Sequence, residues 1–166
     1  MPSPTPHQLD PDHLRFMTGG VSINTAASGA SGLPSQCRAF GCRVDDGGRR
    51  IRVFLSGAQA ADLLRDVGQS RALAVLFSDP PTHRTIQIKG RDARVERLAP
   101  GDPAVVAAYR TAFVACLRPL GFTEPMVRAL LDCPDADLVA VAFTPEAAFN
   151  QTPGAQAGTP LQAGAK

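Results

Sequence analysis

The residues able to do chemistry are basic and hydroxyl side chains at the ends of predicted strands. Arg38 and Arg43 lie five positions apart in "QCRAFGCRV". Ser56 and Gly57 open a predicted helix, whose first N–H groups and dipole favour an anion. Arg84 begins "RTIQIKG", where Thr85, Gln87 and Lys89 alternate with Ile86 and Ile88 and so share one face. Converging donors of this kind suit a phosphate or another anionic ligand.

Other chemistries find little support. There is no GxSxG for a nucleophile elbow, no GxGxxG joining strand to helix, and no GxxxxGK[ST]. Asp62 and Asp66 read as an i, i+4 pair expected to face water, and Asp45 and Asp46 as part of a turn. His7, His13 and His83 share no ligand spacing with one another or with Cys37, Cys42, Cys116 and Cys133, so no metal site is expected. The cysteines read as small buried hydrophobes in a reducing compartment.

Composition sets the frame. The chain has 166 residues, 44% of them hydrophobic, enough for one domain with its own core. Seventeen basic against fifteen acidic residues leave a net charge of +2, too little for a dedicated nucleic-acid binder. No run of 18 apolar residues spans a membrane, and the start lacks a signal-peptide layout, so a cytoplasmic protein is expected. Residues 1–15 read as an arm, 16–149 as the domain and 150–166 as a Gly/Ala/Pro-rich tail.

Within the domain, strands precede helices. "GVSINTAA" turns Val21 and Ile23 inward and Ser22 and Asn24 outward. "QCRAFGCRV" reads as one strand, "DDGG" as a hairpin turn, and "RRIRVFL" as the returning strand. Ser56 and Gln59 fit a capping box for a short helix that stops near Gly68. "RALAVLFS" has the apolar run of a central strand, and residues 84–98 read as one long strand with a bulge at Gly90. Asp102-Pro103 should cap a helix carrying Val106, Tyr109, Phe113, Cys116, Leu117 and Leu120. A second helix near Thr123 carries Met126, Leu130 and Leu131, with Met126 expected in the core, and "DLVAVAFTP" is a last strand. The fold class is mainly β: an antiparallel barrel of six or seven strands with one short inserted helix and C-terminal helices.

"RAFGCR", "FLSGAQAADLL", "LAVLFS" and "HRTIQIKG" together resemble the pyridoxamine 5'-phosphate oxidase-related flavoproteins, over roughly residues 15–98. The resemblance implies a split β-barrel and a homodimer binding FMN in two clefts across its interface. It implies that Arg38, Arg43, Ser56, Gly57, Arg84, Thr85, Gln87 and Lys89 surround the cofactor, and that Phe54 and Leu55 offer backbone contacts to the ring. Two features depart from that pattern. "SGAQ" lacks the basic pair that grips the phosphate, and the tail has no counterpart of the oxidase's substrate motif. The expectation is therefore an FMN-binding oxidoreductase other than pyridoxamine phosphate oxidase, with a nicotinamide nucleotide as candidate electron donor. The alternative is a non-catalytic protein binding flavin, deazaflavin or haem.

Overall fold

The computed structural model describes residues 7–161. Among the described residues nine strands form two antiparallel sheets. In chain order these are β1 (Ser22–Ser28), β2 (Pro34–Arg38), β3 (Cys42–Asp45), β4 (Arg50–Ser56), β5 (Leu73–Ser78), β6 (Thr85–Gly90), β7 (Arg94–Glu96), β8 (Leu138–Phe143) and β9 (Ala147–Asn150). One sheet runs β2-β1-β5-β6-β9, the other β3-β4-β8-β7. Four helices accompany them: α1 (Pro11–Thr18), α2 (Ala61–Ser70), α3 (Asp102–Leu117) and α4 (Glu124–Leu130). The barrel, the inserted helix and the C-terminal helices are as expected.

The strand count exceeds six or seven because two presumed strands each cross between sheets and β9 adds an edge strand after β8. "QCRAFGCRV" breaks at residues 39–41. There the Ala39 N–H donates to Ile23 O in one sheet (2.9 Å), while the Phe40 N–H donates to Phe54 O in the other (2.7 Å). Gly41 makes this corner at φ 142°, with a Cβ there only 3.4 Å from both Phe54 and Tyr109. Residues 84–98 divide likewise into β6 and β7, in different sheets. The phase change at Gly90 is thus a change of sheet rather than a bulge. Gly90 is needed for close approach, since a Cβ would sit 2.4 Å from Thr144 O.

Burial separates the two sheets. β4 is buried at six consecutive positions, because its side facing away from the barrel interior is also covered: α3 packs against the neighbouring β3 and places Asp102 on Arg52, and Asp137 closes over Ser56. Arg43 and Arg52 reach the wholly buried Asp102 of α3 from that side. β1 and β5 alternate buried and half-buried positions instead. Ile23, Val75, Phe77, Ile86 and Ile88 fill the interior, and the other face of the five-stranded sheet stays open. Burying each such side chain contributes about 1.5–3 kcal/mol.

Several local expectations need correction. Half of the capping box forms: the Ser56 hydroxyl accepts the Gln59 N–H at 3.1 Å, but the helix proper starts at Ala61. Gly68 lies inside α2, and Arg71 ends it in the left-handed conformation at φ 58°. Asp102 is the first helical residue of α3 rather than its cap, and accepts the Ala99 N–H at 2.6 Å. Met126 is 57% exposed, not core.

The two ends carry more structure than their composition implied. Asp10 caps α1 by accepting the His13 N–H (2.8 Å), and Leu9 and Met17 are buried. β9 pairs with β6, after which the Gln151 N–H donates to Thr85 O and the Leu161 N–H to Ala148 O, each at 2.8 Å. Residues 1–6 of the presumed arm and 162–166 of the presumed tail lie outside the described residues.

Candidate functional site

The open face of the five-stranded sheet gathers four of the ten candidate residues. Cross-strand partners point the same way, so the register defines rows across this face. One row is Ser22, Ser78 and Thr85. The next is Arg38, Asn24, Leu76, Gln87 and Phe149. A third is Gln36, Ala26, Ala74, Lys89 and Ala147. Arg38, Thr85, Gln87 and Lys89 therefore share one surface.

The first two rows form a polar strip around Leu76. Ser78 Oγ and Thr85 Oγ1 are 2.8 Å apart, and Arg38 Nη1 donates to Ser22 Oγ at 3.0 Å. Asn24 Nδ2 also donates to Ser22 Oγ (3.3 Å), and Gln151 Nε2 to Gln87 Oε1 (3.5 Å). In the third row three alanines leave a trough of about 620 Å³, bordered by Lys89, Arg91, Glu146 and Phe149. Lys89 Nζ lies 5.0 Å over the Phe149 ring, and among the described residues it forms no ion pair.

The other six candidates lie elsewhere, engaged in holding the fold. Arg43 is paired with Asp102 at 2.5 Å and Asp45 at 3.1 Å, on the side of the four-stranded sheet beneath α3. Arg84 pairs with Asp12 at 2.5 Å and stacks 4.4 Å from the Phe16 ring, which pins α1 to the start of β6. That guanidinium holds the Asp12 carboxyl below the usual carboxylate range, by hydrogen bond and by charge. Phe54 and Leu55 are wholly buried.

Ser56 and Gly57 do stand before α2, yet the donors there are already taken. Asp137 Oδ2 accepts the Ser56 hydroxyl at 2.5 Å, and Asp137 Oδ1 accepts the Ala58 N–H at 3.0 Å. The Gly57 N–H donates to the Asp137 carbonyl at 2.7 Å. A carboxylate of the chain itself occupies the place where a ligand phosphate was expected, and would repel one. The start of α2 does not fit a phosphate.

A second concavity meets the polar strip at Ser22 and Arg38. It is a groove of about 320 Å³ walled by Phe113, Leu117, Phe122, Met126 and Leu130. Sequence reasoning missed this wall, because it placed α4 in the core. It also left Leu76 out of the site, although Ser22 and Asn24 already read as outward. Among the described residues no cluster of three or more His, Cys, Asp or Glu side chains could hold a metal, and no helix is long and apolar enough to cross a membrane.

The thiols sit in conditions that favour the protonated form. Burial, then the neighbouring Asp79 carboxylate, pushes Cys116 up to about 11. Burial, reinforced by Asp45, pushes Cys42 higher still. None of the four is disulfide-bonded.

No protein-family model and no curated protein sequence matches the chain. Solved structures do match in shape. HupZ of Group A Streptococcus is 15% identical over 90% of this chain and 100% of its own, with a TM-score of 0.55. A proposed pyridoxamine 5'-phosphate oxidase from Lactobacillus delbrueckii is 14% identical over 86% of this chain and 94% of its own, at 0.50. HutZ, the heme storage protein from Vibrio cholerae, has the same identity, coverage and score. The chain has the split-barrel fold of the pyridoxamine 5'-phosphate oxidase-related proteins.

Proposed function

We propose that this chain is a flavin-binding protein that works as a homodimer, holding FMN between the open faces of two five-stranded sheets, and that it is an oxidoreductase. The observation that carries this reading is the polar strip around Leu76. Asn24, Gln87 and Thr85 offer amide and hydroxyl groups of both donor and acceptor type, which suit the carbonyls and ring nitrogens of a flavin edge. Such a sheet face, half-buried and apolar at its centre, calls for a covering partner, and a second copy would supply one.

The residues present fit the ring better than the phosphate expected at α2. With Asp137 filling that position, the phosphate is assigned to the trough, where the cations Lys89 and Arg91 outnumber the one carboxylate, Glu146. When bound, FMN supplies the electron transfer through its ring, while the protein contributes position and local charge. The chain's own part is to hydrogen-bond the ring edge, to exclude water between the two faces, and to place Arg38 beside the ring.

Haem is the competing ligand, since one neighbour in shape is a heme storage protein. Haem iron needs an axial ligand. The three rows of the open face contain no His, Cys, Met or Tyr. That composition favours flavin. The test is an absorption spectrum of the purified protein, followed by FMN and haemin titrations and sedimentation. Quenching of FMN fluorescence, and a species of twice the 17.4 kDa chain mass, are expected. Colourless protein that quenches no FMN and sediments as a monomer would sink the reading. Turnover with NADH or NADPH and an acceptor separates an oxidoreductase from a carrier.

A further inference from the structure

We propose that the groove between α4 and the Arg38 end of the open face binds a small apolar carboxylate, its hydrocarbon body against α4 and its carboxylate on Arg38. Two independent features point to this class. The first is apolar surface kept in water: Phe122, Met126 and Leu130 are 45%, 57% and 51% exposed and line one concavity of about 320 Å³. That is the scale of a small-molecule site, and none of the three side chains belongs to the hydrophobic core.

The second is charge. Arg38 stands at the polar end of the groove with one hydrogen bond, to Ser22 Oγ, and lies 5.8 Å over the Phe113 ring. Arg43, Arg50, Arg52, Arg65 and Arg84 all have carboxylate partners. Arg38 has none among the described residues, and a guanidinium's remaining donors match a carboxylate. An apolar wall ending in an unpaired cation selects an amphipathic anion over a neutral lipid or a polar metabolite.

Because Arg38 also ends the Leu76 row, a ligand held this way lies beside the proposed flavin ring. Naming it a substrate rests on the flavin reading. The binding itself does not, so it is measured without FMN. Octanoate and 1-octanol are titrated into the full chain, followed by amide NMR shifts. Octanoate should bind roughly tenfold or more tighter than octanol, the scale of a charged hydrogen bond. Affinity should rise about three- to fourfold per methylene from hexanoate to octanoate.

Arg38→Met should erase the preference for the acid, and Leu130→Asp should weaken both ligands. Leu130 is half exposed, so that variant keeps its fold. Equal affinity for acid and alcohol overturns the proposal, as does octanoate binding that survives Leu130→Asp unchanged. If instead Leu130→Asp splits a dimer and octanoate never binds, a second copy occupies the groove and the proposal fails. Octanoate binding to a chain that quenches no FMN would leave this site standing and remove only the flavin reading.

Discussion

Replacing Asp137 tests whether the start of α2 is filled from within. Asp137→Ala removes the acceptor of the Ser56 hydroxyl and that of the Ala58 N–H. The two losses differ in weight. Ser56 is 2% exposed, and its Oγ already accepts the Gln59 N–H, so its proton loses an acceptor that water cannot replace. Leaving a buried donor unmatched costs about 1–3 kcal/mol. Ala58 is exposed, so its N–H turns to water at little cost. The Gly57 N–H bond to the Asp137 carbonyl is main-chain and survives.

The expected loss is therefore about 2 kcal/mol, set by the Ser56 bond. For a chain of this size each kcal/mol lowers Tm by about 2–4 °C, so a fall of about 4–8 °C is expected by calorimetry. Asp137→Asn keeps an oxygen for Ser56 and should lose about half as much. The variant should also gain an anion response. Sulfate stabilises any folded protein by exclusion from its surface, so the readout is the difference between variant and parent. Asp137→Ala should gain more from sulfate than the parent, because its freed donors at the head of α2 lack their carboxylate. An unchanged Tm, or equal sulfate responses, would refute the claim that Asp137 fills these donors.

Three further outcomes follow from the same geometry. Leu76→Arg places a charge at the centre of the open face without touching the interior, so it should abolish both dimer and FMN quenching while the circular dichroism spectrum stays unchanged. Asp102→Asn leaves Arg43 and Arg52 facing a neutral group where they met a fully buried carboxylate, and urea denaturation should show a loss of about 3–5 kcal/mol; FMN affinity, where Arg43 has no part, should not follow beyond that. Burial and Asp79 push Cys116 up to about 11. Because a raised thiol value lowers the thiolate fraction, only about one molecule in a thousand is reactive there at pH 8, and iodoacetamide labelling read by mass spectrometry should quicken about tenfold per pH unit and level off only near pH 11, not near pH 9 as for a free thiol.

Which parts of this molecule were legible beforehand has a physical explanation. "SINTAAS" and "TIQIKG" alternate because each has one wet face, and that alternation correctly orients Ser22, Asn24, Thr85, Gln87 and Lys89. "RIRVFLS" is buried nearly throughout because it is covered on both sides, and its inward Ile51, Val53 and Leu55 alternate with Arg52, Phe54 and Ser56 beneath that cover. The two sheet crossings were hidden. A chain that passes from one sheet to the next keeps its extended backbone and apolar character, and only the tertiary hydrogen bonds of Ala39 and Phe40 reveal the break. Helix α1 was hidden because its stability comes from nonlocal docking of Met17 and from Arg84 on Asp12, not from a long apolar stripe.

The same distinction divides the candidate arginines. Arg38, Arg43 and Arg84 look alike in sequence, each beside a strand end and each able to hold a phosphate. Their fates depend on acids far along the chain. Arg43 meets a carboxylate 59 positions away and Arg84 one 72 positions away, while Arg38 meets no carboxylate, only the Ser22 hydroxyl and the Phe113 and Tyr109 side chains. Strand alternation says which way a side chain points, but which charge it will find there depends on the packing of distant helices. An arginine neutralised by a buried or pinned carboxylate has no electrostatic reason to bind a ligand, and displacing that carboxylate would cost the fold several kcal/mol. Function in this chain is therefore best sought at cations of the open face that lack a carboxylate partner among the described residues: Arg38 at one end and Lys89 at the other.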